Sequence, residues 1–215
     1  VKLLYVHFAT THYLPGKRGS GSTPASTDSA ASLAAADMSL SYQRLQLDKA
    51  PTTAQVKERI ARTVCNAHEH LVFDAFLSLN QACLKTNFFQ PTKVALAFRF
   101  APSDDILPRA EYPERPYGMF LVIGAEFRGF HVRFRDVARG GVRIIRSRNR
   151  EAYGINLRSL FDENYGLAAT QQRKNKDIPE GGAKGTILLD VDKQDRARIA
   201  FQKYVDALLD LLLVG

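Results

Sequence analysis

Long apolar runs and cysteines are the features that this 215-residue sequence lacks most clearly. No apolar run approaches the roughly 20 residues that a membrane-spanning helix needs, so we expect a soluble protein with no membrane partner. The two cysteines, Cys65 and Cys83, fall in one predicted helical region. That placement predicts no disulfide between them and no extracellular disulfide framework, which favours a reducing compartment.

A natural start and a natural end are also absent from the sequence. It begins with Val1 rather than methionine and stops at Gly215, directly after a leucine-rich run. We therefore expect a fragment, in which residues 1–50 end an N-terminal extension and residues 51–215 form part of a folded domain. Within the extension, residues 16–37 are rich in Ser, Ala, Gly and Thr. This composition is typical of a linker that buries too little apolar area to become ordered.

Positive charge is in excess and is concentrated in one stretch. The formal net charge is +8, and eight arginines lie between positions 128 and 150 against the single acid Asp136. Such a stripe can bind phosphate backbones, so an arginine-rich nucleic-acid-binding domain is one hypothesis. No recognised nucleic-acid-binding motif accompanies the stripe, however, and we expect no nucleic-acid partner.

Helical periodicity is clearest in the first third of the folded part. Apolar residues recur at three- to five-residue spacing from Val56 to Cys83, which predicts one helix with an apolar face. Thr52 or Thr53 is the predicted N-cap, and Thr86 with the following Asn ends the helix. Further helices are predicted over residues 153–172 and after an N-cap at Asp192, the last with Ile199, Val205, Leu208, Leu209 and Leu212 on its apolar side.

The remaining segments have the two-residue period or the compact apolar runs of β-strands. The predicted strands are residues 93–100, 118–125, 130–135 and 185–191, with a hairpin turn over residues 126–129. In the first strand the larger apolar side chains are those at the even positions 94–100. In the third, Phe130, Val132 and Phe134 are expected to face one way, and His131, Arg133 and Arg135 the other. This order predicts an α/β fold, a mixed β-sheet flanked by helices.

Glycines accompany clustered cations at two places. Residues 181–185 read Gly-Gly-Ala-Lys-Gly, and residues 139–143 read Arg-Gly-Gly-Val-Arg. The first is interpreted as a glycine loop around Lys184, because glycines let a backbone and a substrate approach closely. Asp136 is expected to pair with one of the arginines that flank the second glycine pair. Together the segments indicate a pocket for a small molecule with more than one negative charge. The alternative for Lys184 is a solvated lysine in a turn.

Two common kinds of site do not fit the sequence. A P-loop needs Gly-Lys-Ser/Thr in direct succession, whereas Ala183 directly precedes Lys184. Cys65, His68 and His70 could in principle ligate a metal, but His70 leaves the helix face that the other two share. No second cluster completes a tetrahedral site. We therefore expect neither a P-loop nor a metal site.

Residues 84–100 and 111–189 together resemble glutamate dehydrogenase, in particular the large-subunit NAD-specific type of fungi and related eukaryotes. The similar segments include LKTNFFQPTKVALAFRF, YGMFLVIGAEFRGFHVRFRDVARGGVR and QQRKNKDIPEGGAKGTILL. They cover about half of the chain, whereas residues 1–50 carry no such similarity. The resemblance implies the substrate domain of that family, without its dinucleotide-binding Rossmann domain, and a homo-oligomer.

The resemblance also implies roles for individual residues. In this family a Lys/Arg-Gly-Gly-x-Arg segment helps to bind the substrate carboxylates, and a lysine at the end of the following helix holds a carboxylate. The lysine of a Gly-Gly-x-Lys-Gly-Gly loop is catalytic, and Lys184 matches it; Thr186 stands where many relatives have glycine. The matching substrate-binding residues are Arg139, Gly140, Gly141, Arg143, Gln171 and Lys174.

The activity that the resemblance implies is the oxidative deamination of L-glutamate to 2-oxoglutarate and ammonia, with NAD as the hydride acceptor. Two cationic contacts suit a substrate with two carboxylates. The family's acid–base aspartate and its glycine-rich dinucleotide turn are not found here, so we expect no cofactor-binding residues and an inactive fragment. A catalytically inactive regulatory or assembly module of the same fold is the alternative. The expected compartment is the cytoplasm or the mitochondrion.

Overall fold

A computed structural model describes residues 51–174 and 177–213 of the chain. The linker predicted over residues 16–37, and the rest of the extension, lie outside the described residues. The chain divides into two compact units, residues 1–81 and residues 82–215. The candidate site lies in the second unit.

The first unit contains helix α1 (Thr53–Thr63) and most of helix α2 (Ala67–Ala82). The predicted N-cap is confirmed, because the Thr52 hydroxyl accepts from the Gln55 backbone N–H and the Gln55 side chain accepts from the Thr52 N–H. This reciprocal capping box satisfies two backbone donors at the start of the helix. Val56 and Ile60 of α1 form a small core with Leu77 of α2.

The prediction of one continuous helix to Thr86 is wrong. The chain leaves α1 at Val64, whose backbone is extended, and a second helix begins at Ala67. Asn66 explains the new start, because its Oδ1 accepts from the backbone N–H of His68 at 2.8 Å, as an N-cap does. Residues 83–86 are not helical but form a strand that pairs with the next one.

The second unit is built on a seven-stranded mixed sheet. Its strands are β1 (Cys83–Thr86), β2 (Leu96–Phe100), β3 (Gly118–Ile123), β4 (Phe127–Arg133), β5 (Ala138–Arg139), β6 (Val142–Ile145) and β7 (Gly181–Leu189). The first four strands pair antiparallel in chain order, and β7 pairs antiparallel with β4. On its other side β7 pairs parallel with β5 and β6. The predicted α/β class with a mixed sheet is confirmed.

Two helices, α3 (Arg150–Gln172) and α4 (Ala197–Leu213), cover opposite faces of this sheet. Strand β4 shows the division, because successive side chains point to opposite faces. Phe127 contacts Tyr204 of α4, whereas Phe130 contacts Phe161 of α3. The prediction that Phe130 and Phe134 face the same side is confirmed, since the Phe134 ring lies against another ring of α3.

Small side chains form much of the contact between the sheet and α4. On β2 and just before it, the small residues Ala95 and Ala97 are buried in the core shared with α4, whereas the larger Leu96 and Phe98 are only half-buried. On α4 the buried residues are Ala200, Tyr204, Ala207 and Leu211. Their spacing of four, three and four residues makes one helical face. The larger side chains expected to be buried in α4 include Leu209 and Leu212, which are exposed, so that part of the prediction is wrong.

Several predicted boundaries are shifted. The hairpin between β3 and β4 turns earlier than residues 126–129, and α3 begins at Arg150 because Asn149 caps it through a bond from the Ala152 N–H. Asp192 does not cap the last helix, which begins at Ala197. Strand β7 begins at Gly181, four residues before the predicted start.

Candidate active site

Lys184 lies in the middle of strand β7, not in a loop. It pairs with Val132 of β4, and the N–H of the next residue, Gly185, donates to the carbonyl of Gly141 at 3.1 Å. The glycines before it also take part in pairing, since the Gly181 N–H donates to Val137 and the Gly182 carbonyl accepts from Phe134. The prediction of a glycine loop is therefore wrong. Neighbouring strands on both sides override the weak intrinsic strand preference of glycine.

Alternation along β7 decides which helix Lys184 faces. Gly182 faces α3, because a Cβ added to it would lie 2.1 Å from the backbone nitrogen of Gln172 and 2.4 Å from the carbonyl oxygen of Ala168. Lys184 and Thr186 follow at two-residue spacing and share that face. Lys184 is half-buried and Thr186 is fully buried. The amine therefore belongs to the face of the sheet that α3 covers.

The C-terminal end of α3 brings two further predicted residues to this region. Gln171 lies in the last turn and is half-buried, whereas Lys174 follows the helix and is exposed. The Lys174 N–H donates to the Gln171 carbonyl at 3.3 Å, and the Gly182 N–H donates to Oε1 of Gln172 at 2.7 Å. The helix end is thus bonded to β7 two residues before Lys184. Residues 175 and 176 lie outside the described part of the chain.

Strands β5 and β6 hold the Arg-Gly-Gly-Val-Arg segment against β7. Gly140, between them, passes so close that an added Cβ would lie 1.5 Å from the carbonyl oxygen of Ala183. Only a residue without a side chain permits this backbone approach. At Gly141 an added Cβ would lie 3.8 Å from Nζ of Lys184, which places the lysine amine directly beside this segment.

Both predicted arginines face the same side of the sheet as Lys184. In the parallel register Arg139 is opposite Gly182 and Arg143 is opposite Thr186, and partners in a pair point to the same face. Each side chain is more than half exposed, at 58% for Arg139 and 51% for Arg143. The sheet therefore brings Arg139, Arg143 and Lys184 to one face, on three neighbouring strands.

The carboxylate partners of these arginines are not the expected one. Arg139 pairs with Glu180 at 2.6 Å and Arg143 pairs with Glu163 of α3 at 2.5 Å. The predicted partner, Asp136, instead accepts from the neighbouring Val137 N–H through its own side chain. That local bond turns the Asp136 carboxylate back onto its own backbone, and the prediction is wrong.

Asn164 was missed by reasoning from the sequence. It has no exposed surface, and its Nδ2 donates to the carbonyl of Lys184 at 3.0 Å and to that of Phe130 at 3.3 Å. One signal was available, because Leu160, Asn164 and Ala168 recur every four residues and all three are buried. A polar residue in the middle of an apolar helix face is usually held by specific hydrogen bonds.

Four arginines of the arginine-rich stretch have partners within the protein. Arg128 pairs with Asp190 at 2.5 Å, and Tyr153 donates to the same carboxylate at 2.9 Å. Arg133 donates to the backbone carbonyls of Arg135 and Asp136. Together with the ion pairs of Arg139 and Arg143, these contacts give each of the four arginines a different local partner.

Other kinds of site have no support in the described part of the chain. None of its helices is long and apolar enough to cross a membrane. Within the same residues, no three or more His, Cys, Asp or Glu side chains are grouped to hold a metal ion. Both cysteines are free thiols, as predicted. Burial raises the pKa of Cys83 to about 12, which keeps it protonated and unreactive at neutral pH.

The strand-to-helix turns do not fit a dinucleotide. A phosphate-binding turn needs glycines where a strand leads into a helix, so that the backbone can approach the phosphates. The two described turns of this kind, residues 146–149 before α3 and residues 190–196 before α4, contain no glycine. Gly129 and Gly140 instead lie where strands approach one another, and Gly182 lies where β7 meets α3.

Comparison with known proteins identifies the relatives of this chain. A family model described as the catalytic domain of bacterial NAD-glutamate dehydrogenase matches residues 55–213. The NAD-specific glutamate dehydrogenase of Neurospora crassa is 66% identical over 160 residues, which is 74% of this chain and 15% of that protein. The protein of the same name from Saccharomyces cerevisiae is 46% identical over 181 residues, covering 82% of this chain and 16% of that protein. Glutamate dehydrogenase 2 of Dictyostelium discoideum is 56% identical over 160 residues, 74% of this chain and 15% of that protein. The chain therefore spans about 15% of the length of these curated relatives.

Proposed function

This chain belongs to the NAD-glutamate dehydrogenase family, and we propose that it supplies part of the substrate-binding catalytic domain of such an enzyme. The reaction is the oxidative deamination of L-glutamate to 2-oxoglutarate and ammonia, with NAD as the hydride acceptor. The observation that carries the proposal is the position of Arg139, Arg143 and Lys184 on one face of the sheet, beside the end of α3.

Glutamate is recognised through its two carboxylates. Arg139, with Gly140, Gly141 and Arg143 of the same segment, binds one end of the substrate, and Lys174 with Gln171 binds the other. Charge-assisted hydrogen bonds to two separated carboxylates fix the substrate in one orientation. The pairs of Arg139 with Glu180 and of Arg143 with Glu163 support this, because these guanidinium groups already bind carboxylates. A substrate carboxylate would take the place of a glutamate side chain of the protein.

Lys184 acts on the hydrolytic half of the reaction. Water adds to the substrate carbon that carries the nitrogen. The side-chain ammonium group of Lys184 stabilises the negative charge that develops on the entering oxygen. The same amine can pass a proton between that oxygen and the departing nitrogen. The half-buried position of Lys184 under α3 supports this role, because electrostatic stabilisation strengthens where water is excluded.

NAD is proposed as the cofactor of the whole protein, because several relatives are named NAD-specific. It accepts the hydride when bound. The two described strand-to-helix turns of this chain lack the glycines of a phosphate-binding turn. We therefore assign no step between NAD and the residues of this chain.

The test is glutamate-dependent NADH formation by the full-length natural protein that carries this chain. We expect reduction of NAD with L-glutamate and its near-complete loss in the Lys184→Ala variant. A folded full-length protein that reduces no NAD with glutamate would refute the proposal and favour an inactive assembly module. Binding of an oligonucleotide that weakens with rising salt would favour the nucleic-acid hypothesis instead.

A further inference from the structure

We propose, building on the catalytic role proposed for Lys184, that Asn164 is a positioning residue that fixes the strand segment carrying this lysine. Asn164 lies on α3, and its side-chain amide contacts the backbone of β7 at Lys184 itself. Within residues 51–174 and 177–213, its side-chain hydrogen bonds go to backbone carbonyls and not to the lysine amine or the arginine side chains. Asn164 therefore affects the reaction by fixing the position of Lys184.

The geometry of the contact restrains two strands at once. Nδ2 of Asn164 donates to the Lys184 carbonyl on β7 at 3.0 Å and to the Phe130 carbonyl on β4 at 3.3 Å. These strands are neighbours, and Phe130 is paired with Thr186, two residues beyond the lysine. A carboxamide nitrogen carries two hydrogens, so one rigid group sets the distance from α3 to both carbonyls.

Stability alone does not account for an asparagine at this place. The residue is completely buried, and its Oδ1 finds no hydrogen-bond partner among the described residues. Leu160 and Ala168, one turn before and one turn after it, are buried on the same face of α3. An apolar residue would continue that face without a buried unmet acceptor, whose desolvation opposes folding. A polar side chain at this buried place indicates that its hydrogen bonds are needed to fix the position of the strand segment at Lys184.

Two further contacts made by α3 also fix this helix to the strands of the candidate site. Glu163, next to Asn164 in sequence, holds Arg143 on β6, and Gln172 accepts from the Gly182 N–H on β7. Helix α3 is therefore bonded to the strands of the candidate site on both sides of Lys184. Catalytic groups must be held to within about 0.5 Å of their productive position, which requires such supporting bonds.

The experiment is steady-state kinetics of the full-length protein with Asn164→Leu and, as a second variant of nearly unchanged shape, Asn164→Asp. Leucine has no hydrogen-bond donor, and an ionised aspartate only accepts, so neither side chain donates to the Lys184 carbonyl. We expect kcat to fall by about tenfold to a hundredfold, the loss typical of a small misplacement of a reacting group. The KM for glutamate is expected to stay within about twofold, because the carboxylate contacts are on other residues.

A double-mutant cycle separates positioning from a general structural defect. When Lys184→Ala is already present, Asn164→Leu should cost no further activity, because the group that it positions is gone. Asn156→Leu is the matched control, since Asn156 lies on the same helix and donates to Ser147 rather than to β7. We expect its kcat to be unchanged.

The possible outcomes separate the two proposals. An inactive wild-type protein refutes the proposed function, whatever the variants do. With an active wild type, the positioning role is overturned if both Asn164 variants keep kcat within about twofold, or if their loss persists in full beside Lys184→Ala. Failure of both variants to fold also overturns it, since the side chain would then serve the fold as a whole.

Discussion

The backbone N–H of Gly182 donates to Oε1 of Gln172 at 2.7 Å, and a Cβ on Gly182 would lie 2.1 Å from the backbone nitrogen of the same glutamine. Strand β7 and the last turn of α3 therefore approach at backbone distance. This approach brings Gln171 and the start of the following segment to the strand that carries Lys184. The absence of one side chain is what permits the two parts of the candidate site to meet.

Gly182→Ala is expected to destabilise the chain by about 3 kcal/mol or more, because the new methyl group would collide with backbone atoms that cannot rotate away. Gly166→Ala is the matched control. Gly166 lies within α3, the helix that Gly182 contacts; it is exposed, and no atom lies within 4 Å of the added Cβ. There we expect stabilisation by about 0.5–1 kcal/mol, as for glycine in a helix interior. Urea denaturation of the three proteins measures both changes, and equal stability of the two variants would contradict the packing described at Gly182.

Lys184→Ala in the full-length protein should lower kcat by roughly a hundredfold to ten-thousandfold, the usual contribution of a group that transfers protons. The glutamate KM should change much less, because the amine acts mainly on the transition state. Initial rates at varied glutamate and saturating NAD measure both constants. A variant with near-normal kcat would leave Lys184 as a structural lysine of the sheet.

Lys174→Ala should mainly raise the glutamate KM, by about tenfold or more, because it removes a charge-assisted contact to a carboxylate. Arg173→Ala is the control, since Arg173 is an exposed cation at the adjacent position. It should leave the KM close to the wild-type value. If both variants raise the KM equally, the effect is one of general positive charge and not of a specific contact at Lys174.

Variants of Arg139 and Glu180 test whether the Glu180 carboxylate and a substrate carboxylate compete for the Arg139 guanidinium. Arg139→Ala should raise the glutamate KM, whereas Glu180→Gln should lower it by at most about fivefold, since an ion pair whose arginine side chain is 58% exposed contributes about 1 kcal/mol or less. The two changes therefore move the KM in opposite directions. A higher KM in both variants would indicate that Glu180 orients Arg139 for binding and does not compete with the substrate.

His131 should make folding stability depend on pH. Burial, with a smaller contribution from the Arg133 charge, lowers its pKa from 6.5 to about 4. The folded state therefore binds the proton less well than the unfolded state. The contribution of His131 to the free energy of unfolding is fully present above pH 6.5. It decreases as the pH falls to about 4, by about 3 kcal/mol in total.

The measurement compares urea denaturation of wild type with His131→Gln between these pH values. The variant lacks the titrating group, so the difference in unfolding free energy between the two proteins should change as the pH falls. Both proteins share the same carboxylates, which removes their contribution from that difference. A difference that does not vary with pH would show that the imidazole is not protonated selectively in the unfolded state.

Strand β2 and helix α4 show where periodicity in the sequence was informative and where it was not. The alternation over residues 93–100 predicted a strand, and the pattern after Asp192 predicted a helix, and both elements are present. The buried face of α4 was misjudged, because Leu209 and Leu212 were expected inside and are exposed. The structure buries Ala200 there and Ala97 on the facing strand, since small residues let the helix lie close to the sheet.

The sequence by itself determined the family, the α/β class and the residues to consider for the site, because these depend on composition, local period and motif. Only the tertiary structure decided that Lys184 lies in a strand, that Glu163 and Glu180 hold the arginines, and that Asn164 holds the lysine backbone. The physical reason is distance along the chain. A strand in mid-sheet, an ion pair or a buried amide is completed by partners that neighbouring residues do not reveal, and register between distant segments selects them.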